Sequence, residues 1–379
     1  MSMVEWKKLG DVCEILDYRR KPISKDIRKG GVFPYYGANG IQDYIDDYIF
    51  DGTFLLLGED GSVINEDKSP ILHWATGKIW VNNHAHVLAE TDKSKMRYIY
   101  YSLQCQDVSG IVRGTPPKIN QANLRNIQIP IPSLSEQNRI VGILDTFTAS
   151  IDNLKQQIEQ RRKQYEYLID FFFGGSLVKM KQLADDGVFK LETLAQHGSF
   201  TRGRRFVRTD IIEEGQPCIH YGDMYTFYGL SATKANTHLP VDFPKKMRYA
   251  KKGDVVIVGA GENNEDIGVG LVWLGDEPAA VHDACYIYEN DLNPMFVSYF
   301  LRSRIYHLQI KSHVVRGKIC SISSDGIGKA LIPVYPMEQQ QIIVQKLLPF
   351  EKLLDNLEQQ LAQRQKQYEY YRNKLLTFE

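Results

Sequence analysis

Two segments of the chain carry the same pattern of apolar positions. In residues 140–172 and again in 343–375, mostly apolar or aromatic side chains recur at alternating steps of four and three residues. The paired positions are 203 residues apart: Ile140/Ile343, Leu144/Leu347, Phe147/Phe350, Ile151/Leu354, Leu154/Leu357, Ile158/Leu361, Arg161/Arg364, Tyr165/Tyr368, Leu168/Tyr371 and Phe172/Leu375. A heptad seam of this kind predicts a long helix with one apolar stripe. Two such helices in one chain can bury their stripes by pairing.

A similar sequence precedes each predicted helix. The first copy reads Ile-Pro-Ile-Pro-Ser-Leu-Ser-Glu-Gln over 129–137, and the second reads Ile-Pro-Val-Tyr-Pro-Met-Glu-Gln over 332–339. Proline ends the preceding strand, and a carboxylate suits the positive end of a helix dipole. Ser135 is a candidate N-cap. The Glu-Gln pairs are 202 residues apart, one fewer than the seam positions.

The repeat divides the chain into four segments. Globular segments over 1–134 and 176–336 alternate with helical segments over 135–175 and 337–379, and a Gly-Gly-Ser break at 174–176 ends the first helix. Since the order of globular segment and helix occurs twice, the chain is predicted to be an internal duplication.

Both globular segments contain short apolar strands followed by one helical stretch. The strands, such as 53–57 and 255–258, are separated by glycines and Asp-Gly turns. The helical stretches lie near 95–104 and 294–302. Each segment is therefore predicted to be a mixed α/β domain with an irregular, mostly antiparallel sheet.

The two helices can pair in parallel or antiparallel. An antiparallel pair would place the globular segments at opposite ends, related by a pseudo-twofold axis. A duplicated chain favours this closed, isologous arrangement. We therefore predict an α+β fold in which two mixed α/β domains are separated by two long antiparallel coiled-coil helices. About 33 helical residues would make a spacer of roughly 50 Å. The alternative is a structural hairpin without a spacing role.

Composition and charge narrow the classes of function. The 379 residues are 43% hydrophobic, which is typical of a folded protein with two or more domains. The 46 basic and 46 acidic residues cancel, which argues against a nonspecific polyanion binder but allows local basic clusters. Five scattered cysteines without a Cys-x-x-Cys pair indicate reduced thiols. We expect a cytoplasmic protein without a membrane partner, since the sequence has neither a signal-peptide pattern nor an apolar run of ~18 residues.

Basic residues cluster early in each globular segment. The cluster residues are Arg19, Arg20 and Lys21 in the first segment and Arg202, Arg204 and Arg205 in the second. Arginine can bond guanine bidentately or clamp a phosphate, so the repeated cluster predicts contact with DNA. A solvated basic loop is the alternative.

Two further pairs of motifs are candidates for DNA contact. Tyr36, in Tyr-Tyr-Gly, resembles Tyr221, in His-Tyr-Gly, although half-buried strand residues would give the same pattern. An Arg-Gly-x sequence before each helix entry supplies candidate phosphate contacts, although its glycines also suit a plain turn. The residues of this last pair are Arg113 and Lys118 in the first segment and Arg316 and Lys318 in the second.

The chain is similar to the specificity subunits of type I restriction–modification systems over essentially its whole length. The resemblance rests on the two helix-entry motifs over 129–141 and 332–344. It is completed by Asp-Asn-Leu and Lys-Gln-Tyr-Glu-Tyr sequences that occur once in each helix, at 152–154 and 355–357 and at 163–167 and 366–370.

The resemblance implies a noncatalytic protein that needs no cofactor. Its globular segments would be target-recognition domains, each reading one half of a bipartite site in double-stranded DNA, with the helices setting the gap. Two methyltransferase subunits, which methylate adenine with S-adenosylmethionine, and ATP-driven restriction subunits would assemble on it. Residues at the helix entries would then contact the methyltransferase subunits, and the candidates are Glu136, Gln137, Glu338 and Gln339.

Two other classes of function are weighed against this one. The glycines over 259–261 resemble a Rossmann loop, but a polar loop and another strand follow them, so a hairpin fits better. The Pro-Pro at 116–117 lacks the flanks of an adenine methyltransferase motif, and His84 and His86 lack a second ligand pair for zinc. An S-adenosylmethionine-dependent methyltransferase and a coiled-coil scaffold without DNA binding remain as alternatives.

Overall fold

The computed structural model describes residues 4–244 and 246–378. Two compact units are present, the first formed by Met1–Lys155 with Gln359–Glu379 and the second by Gln156–Glu358. Within the described ranges, none of the helices is both long enough and apolar enough to cross a membrane.

The first globular part is rich in strands and ends in a long helix. In chain order its elements are β1 (Glu5–Lys8), α1 (Leu9–Val12), β2 (Glu14–Ile15), β3 (Gly30–Gly37), β4 (Gly40–Ile45), β5 (Phe50–Gly58), β6 (Leu72–Val81), β7 (Ala85–Ala89), α2 (Met96–Leu103), α3 (Gln121–Arg125), β8 (Gln128–Ile131) and α4 (Leu134–Phe173).

The rest of the chain repeats this order with a different set of strands. Its elements are α5 (Leu177–Asp185), β9 (Lys190–Thr193), β10 (Gly198–Arg202), β11 (Gln216–Ile219), α6 (Asp223–Thr226), β12 (Ser231–Ala232), β13 (Thr237–Leu239), β14 (Tyr249–Ala250), β15 (Val255–Val258), β16 (Ala260–Gly261), β17 (Gly270–Trp273), β18 (Ala279–Val281), β19 (Cys285–Asn290), α7 (Pro294–Leu301), α8 (Arg304–Ile310), β20 (Cys320–Ser321), α9 (Ser324–Gly328), β21 (Leu331–Val334) and α10 (Met337–Leu376).

The first unit is built on a six-stranded mixed sheet. Its order is β2-β7-β5-β6-β3-β4, and its neighbours are antiparallel except β3 and β6, which run parallel with Tyr36 opposite Val81. The central strand β5 carries Leu55, Leu56 and Leu57, all fully buried. This run of leucines has no polar alternation because both faces of the strand are covered. The mixed, mostly antiparallel sheet predicted from the sequence is confirmed.

The second unit contains two main sheets, ordered β10-β19-β15-β17-β12 and β13-β11-β18-β14. Strand β15 is buried along its whole length, which suits its four successive β-branched residues. Strands β11 and β18 run parallel, with Ile219 opposite Val281, so their C-terminal ends meet at one edge.

In each unit the first and last strands of the globular part pair antiparallel. Strand β1 pairs with β8, and β9 pairs with β21. The chain therefore enters each long helix beside the place where the globular part begins. The helices themselves are confirmed, α4 starting one residue before the predicted position and α10 at it.

Within each unit the segments of the two long helices run antiparallel. In the first unit Leu376 joins the core cluster of Ile140 and Leu144, and the Tyr371 ring stacks on Phe147 with centroids 5.3 Å apart. In the second unit α10 residues Glu358 and Lys346 lie against α4 residues Arg162 and Phe172, respectively. Positions that advance along α4 therefore meet positions that recede along α10, as the duplication predicts.

Candidate nucleic-acid interface

The second unit has a surface cleft of about 490 Å³ where several strands end. Strands β10, β11 and β18 all finish at its edge, and the following residues supply its walls. Carboxyl ends of neighbouring strands are a common place for ligand sites in open sheets. The polar and aromatic side chains of the lining include Arg202, Arg205, His220, Tyr221, Glu262 and His282.

Three of the predicted DNA contacts in this unit meet in the cleft: Arg202, Arg205 and Tyr221. Arg204 has an exposed side chain, and its backbone N–H donates to the Val281 carbonyl at 2.8 Å. Arg316 and Lys318 are exposed on a loop closed by backbone hydrogen bonds between Val315 and Ser321. Ile319 of that loop lines the cleft, so the loop borders it.

Two histidines form one wall of the cleft. The rings of His220 and His282 have centroids 4.8 Å apart, and the ring of Phe206 packs edge-on against His282 at 5.0 Å. Backbone N–H groups donate to their Nδ1 atoms, from Gly222 to His220 at 3.2 Å and from Ala284 to His282 at 3.1 Å. Because Nδ1 accepts, the proton of each neutral ring lies on Nε2.

The charged forms of both histidines are disfavoured. Burial lowers the pKa of His220 to about 4, and the nearby His282 and Arg208 act in the same direction. Burial also lowers the pKa of His282. The charged forms are disfavoured because the rings lie in the unit's interior and beside arginines. The cleft thus combines cationic arginines with neutral, oriented hydrogen-bond groups.

We expect the chain to lose stability as the pH falls from about 6.5 towards 4. The pKa of His220 is about 4 in the folded chain and near 6.5 when unfolded, so the unfolded state binds the proton first. His220 should therefore contribute roughly 1–2 kcal/mol of lost stability between pH 7 and pH 5. Urea midpoints at both pH values measure it, with His220→Gln as the matched variant. An equal pH dependence in both proteins would contradict the assignment.

In the first unit two predicted DNA contacts converge on one carboxylate. Arg20 Nη1 lies 2.5 Å from Glu59 Oε2, and Lys118 Nζ lies 3.1 Å from Glu59 Oε1. The Arg20 guanidinium also lies 3.3 Å from Asp17 Oδ2 and donates to the Ala85 carbonyl at 2.8 Å. Only 12% of its side chain is exposed. The Arg20 side chain is thus mostly buried and bonded within the unit, and these contacts give no support to direct binding of DNA by Arg20.

His86 completes this buried network. It is fully buried, with Nδ1 2.6 Å from Asp17 Oδ2 and Nε2 2.8 Å from the Ile119 carbonyl. Burial alone would raise the pKa of Asp17, but His86, the Val87 N–H and Arg20 together hold that pKa below its usual value. Asp17, Glu59 and His86 bring donor atoms within 4.8 Å of one another. We assign no metal to them because Arg20 and hydrogen bonds already satisfy these groups.

The remaining predicted residues of the first unit have varied environments. Arg19 is exposed, donates to the Ile49 carbonyl at 2.8 Å and lies over the Phe50 ring at 4.7 Å. Lys21 and Arg113 are exposed. Tyr36 is a buried residue of β3, as its alternative interpretation proposed, and burial raises its pKa. Tyr36 therefore offers little surface to a ligand.

Strand register corrects the pairing of Tyr36 with Tyr221. The N–H of Asn82 donates to the Tyr36 carbonyl, and the N–H of His282 donates to the Ile219 carbonyl. Tyr36 thus corresponds to Ile219, and Tyr221 lies two residues beyond its strand, in the cleft. Sequence similarity aligned these motifs incorrectly because the intervening loops differ in length.

Sequence reasoning did not select four residues at or near the cleft as DNA contacts. His220, His282 and Glu262 line it, and Arg248 donates to the Arg202 carbonyl at 2.5 Å. His220 lies in the motif that contains Tyr221, where the prediction names only the tyrosine. Arg248 and Glu262 lie in stretches without a repeated pattern, so no signal pointed to them.

The predicted docking residues divide into buried and exposed positions. Gln137 is fully buried; it accepts from the Lys95 N–H at 2.9 Å and donates to the Pro132 carbonyl at 3.0 Å. Gln340, rather than Gln339, repeats this arrangement with the Asn293 N–H and the Tyr335 carbonyl. These glutamines fasten each long helix to its globular part.

Gln137 is therefore assigned a structural role, since it is fully buried and both polar atoms of its amide are bonded to backbone groups. Glu338 and Gln339 are exposed, and the half-buried Glu136 pairs with Arg139 at 2.6 Å.

Comparison with known proteins agrees with a duplicated α+β chain of this kind. The family described as "Type I restriction modification DNA specificity domain" matches residues 1–161 and 188–365. The chain belongs to this family of type I specificity subunits.

Individual relatives match along their length. A putative type I restriction enzyme specificity subunit of Haemophilus influenzae is 32% identical over 390 residues, covering 100% of this chain and 96% of that protein. The EcoR124I/EcoR124II specificity subunit of Escherichia coli is 26% identical and covers 89% of each chain. The crystal structure of a type I S subunit from M. genitalium has the same fold, with a TM-score of 0.67 at 15% identity over 100% of this chain and 98% of that one.

Proposed function

We propose that this chain is the noncatalytic DNA-recognition subunit of a type I restriction–modification complex. Residues 1–134 and 176–336 act as target-recognition domains, each reading one half of a bipartite site, and the long helices set the gap between the halves. S-adenosylmethionine-dependent adenine methyltransferase subunits, two in number, and ATP-driven restriction subunits supply catalysis. The complex works in the cytoplasm, where the bacterial chromosome and entering DNA are found.

One observation carries this proposal: the two basic clusters occupy equivalent positions in the two units. The backbone N–H of Lys21 donates to the Val81 carbonyl at 3.2 Å, and that of Arg204 donates to the Val281 carbonyl at 2.8 Å. Each cluster is therefore bonded to the last residue of an equivalent strand, β6 in the first unit and β18 in the second. Duplicated basic loops at duplicated strand ends are what two half-site readers require.

The docking part of the proposal rests on the exposed starts of the long helices. Glu338 and Gln339 are solvent-exposed, and Glu136 is half-buried, in the first turn of each helix. Charged and polar side chains at such positions can orient a partner without a buried desolvation cost. We assign these three residues to contact with methyltransferase subunits.

The geometry also favours a noncatalytic chain over a methyltransferase. The glycines of the Rossmann-like sequence lead from β15 into β16, which pairs with β20. A dinucleotide-type loop would lead into a helix whose N-terminus binds phosphate.

The test is to express the chain with an adenine methyltransferase subunit encoded beside it and to map methylated adenines in host DNA. We expect a split motif with two specific parts and a fixed gap. Reversing the charges of Arg202, Arg204 and Arg205 to glutamate should lower methylation at those sites at least about tenfold, because several phosphate or base contacts are lost.

The matched variant carries Arg19→Glu and Lys21→Glu, which alter the exposed cluster of the other unit. It should also lower methylation, through the other half-site. A continuous methylated motif, or methylation unchanged in both variants, would instead support a scaffold that does not read DNA.

A further inference from the structure

We propose that His220 and Glu262 read one G·C base pair in the half-site recognised by the second unit. This inference rests on the proposed function and assigns a base to its cleft. Neither residue belongs to the two basic clusters. The assignment predicts which base pair binds in the cleft.

The His220 side chain can act as a hydrogen-bond donor. Its Nδ1 accepts the Gly222 N–H at 3.2 Å, so its Nε2–H is a donor of fixed position. Arg202 and Arg205 line the same cleft and supply further donors. Arg202 uses Nε for the Asp283 carbonyl at 2.7 Å, which holds the side chain while its terminal nitrogens stay available for other bonds.

The donor side chains of His220, Arg202 and Arg205 match guanine better than adenine. The Asp283 carboxylate also lines the cleft, where its Oδ1 lies 3.3 Å from His282 Nδ1. In the major groove guanine presents two acceptors, N7 and O6, whereas adenine presents one acceptor and one donor. Adenine would place its N6 amino group against the donors of His220 and the arginines. Leaving such donors unpaired is costly, so discrimination between the purines is strong.

Glu262 adds a hydrogen-bond acceptor to the same cleft. Glu262 is exposed, lines the cleft and follows β16 directly. A carboxylate accepts from the N4 amino group of cytosine, the partner of guanine. The same carboxylate would repel a phosphate that lies close to it.

Ala260 and Gly261 are also part of the cleft lining. This part of the lining therefore consists of backbone and a small side chain, which lets a base edge approach closely. The aromatic ring of Tyr221 forms part of the wall and offers a flat apolar surface beside it.

The experiment measures methylation at every single-base variant of the wild-type motif in cells that express the full chain with the adenine methyltransferase subunit. His220→Phe keeps an aromatic ring but removes the donor. Glu262→Gln keeps the shape but adds a donor. Each should reduce discrimination at one G·C position of one half-site at least about tenfold, while the other half-site and the gap stay unchanged.

His220→Gln is the matched control, because its amide nitrogen can replace the Nε2–H donor. It should keep the wild-type preference at that position. Unchanged motifs in His220→Phe and Glu262→Gln would overturn the inference, and so would relaxation at an A·T position. Equal loss of all methylation in His220→Phe and His220→Gln would assign His220 to folding only. A wild-type chain that directs no split motif would overturn the proposed function itself, which is a separate result.

Discussion

Replacing Arg20 with alanine should destabilise the first unit by about 3–5 kcal/mol, the usual cost of breaking a buried ion pair. The guanidinium lies between Asp17 and Glu59, whose side chains are only 4% and 12% exposed. Without it, two buried carboxylates lose their shared cation, and the Ala85 carbonyl loses a hydrogen bond. Urea denaturation of the full chain, followed by a signal from the first unit, would measure the loss.

Arg19→Ala is the matched control for Arg20→Ala. The two arginines are adjacent in sequence, but Arg19 is exposed and makes one hydrogen bond to a backbone carbonyl. Its removal should change stability by less than about 1 kcal/mol. A larger loss from Arg19→Ala than from Arg20→Ala would show that the buried network does not stabilise the unit. If Arg20→Ala kept normal stability but impaired DNA recognition, Arg20 would instead be a DNA-contacting residue.

The contrast between Arg19 and Arg20 shows why the site was harder to predict than the helices. The heptad seam and the helix-entry motifs are local patterns, so Leu134–Phe173 and Met337–Leu376 can be predicted from nearby residues. The environment of Arg20 depends on Glu59, which is 39 residues later in the chain. No pattern around Arg20 records that contact.

The cleft also depends on contacts between distant parts of the sequence, so local patterns do not predict it. The sequence offset between equivalent positions of the two globular parts is not constant. By their backbone hydrogen bonds, Tyr36 corresponds to Ile219 and Ile119 corresponds to Ile322. Loops of different length change this offset from one strand to the next. His220 and Glu262 therefore come to line one cleft only once the parallel pair of β11 and β18 and the short strand β16 are formed.

The offset of 203 residues between the two helix seams identifies equivalent residues of the long helices. It relates Gln137 to Gln340, and these two glutamines make the same pair of backbone hydrogen bonds. The motif similarity suggested Gln339 instead, because the Glu-Gln pair lies one residue out of phase with the seam. Helix phase is set by the buried stripe, so the seam identifies the equivalent glutamine and the motif does not.

Gly203→Ala should be the most damaging single methyl addition near the cleft. A Cβ at this position would lie 2.3 Å from the backbone carbonyl oxygens of both Val281, the last residue of β18, and His282, which follows it. The backbone N–H of Gly203 also donates to the Cys285 carbonyl at 2.9 Å, so the segment has little room to retreat. We expect a loss of about 3 kcal/mol from the second unit.

The same substitution should abolish recognition of the half-site read by the second unit. Relief of the clash must displace the segment between Arg202 and Arg204, and the Arg204 N–H would lose its bond to Val281. Arg202 and Arg205 would then leave the positions in which they line the cleft with His220. Methylation at wild-type sites should fall at least about tenfold, measured at a temperature where the variant chain remains folded.

Gly317→Ala is the matched control in the same unit. It lies in the loop that borders the cleft, but its added Cβ would meet only the Ile319 carbonyl oxygen, at an ordinary 3.5 Å. Stability and methylation should therefore stay close to wild type in this variant. Wild-type stability and recognition in Gly203→Ala would mean that the loop tolerates displacement and that close packing at Gly203 does not position the arginines. Equal loss in both glycine variants would show that general loop rigidity, rather than this one contact, governs the cleft.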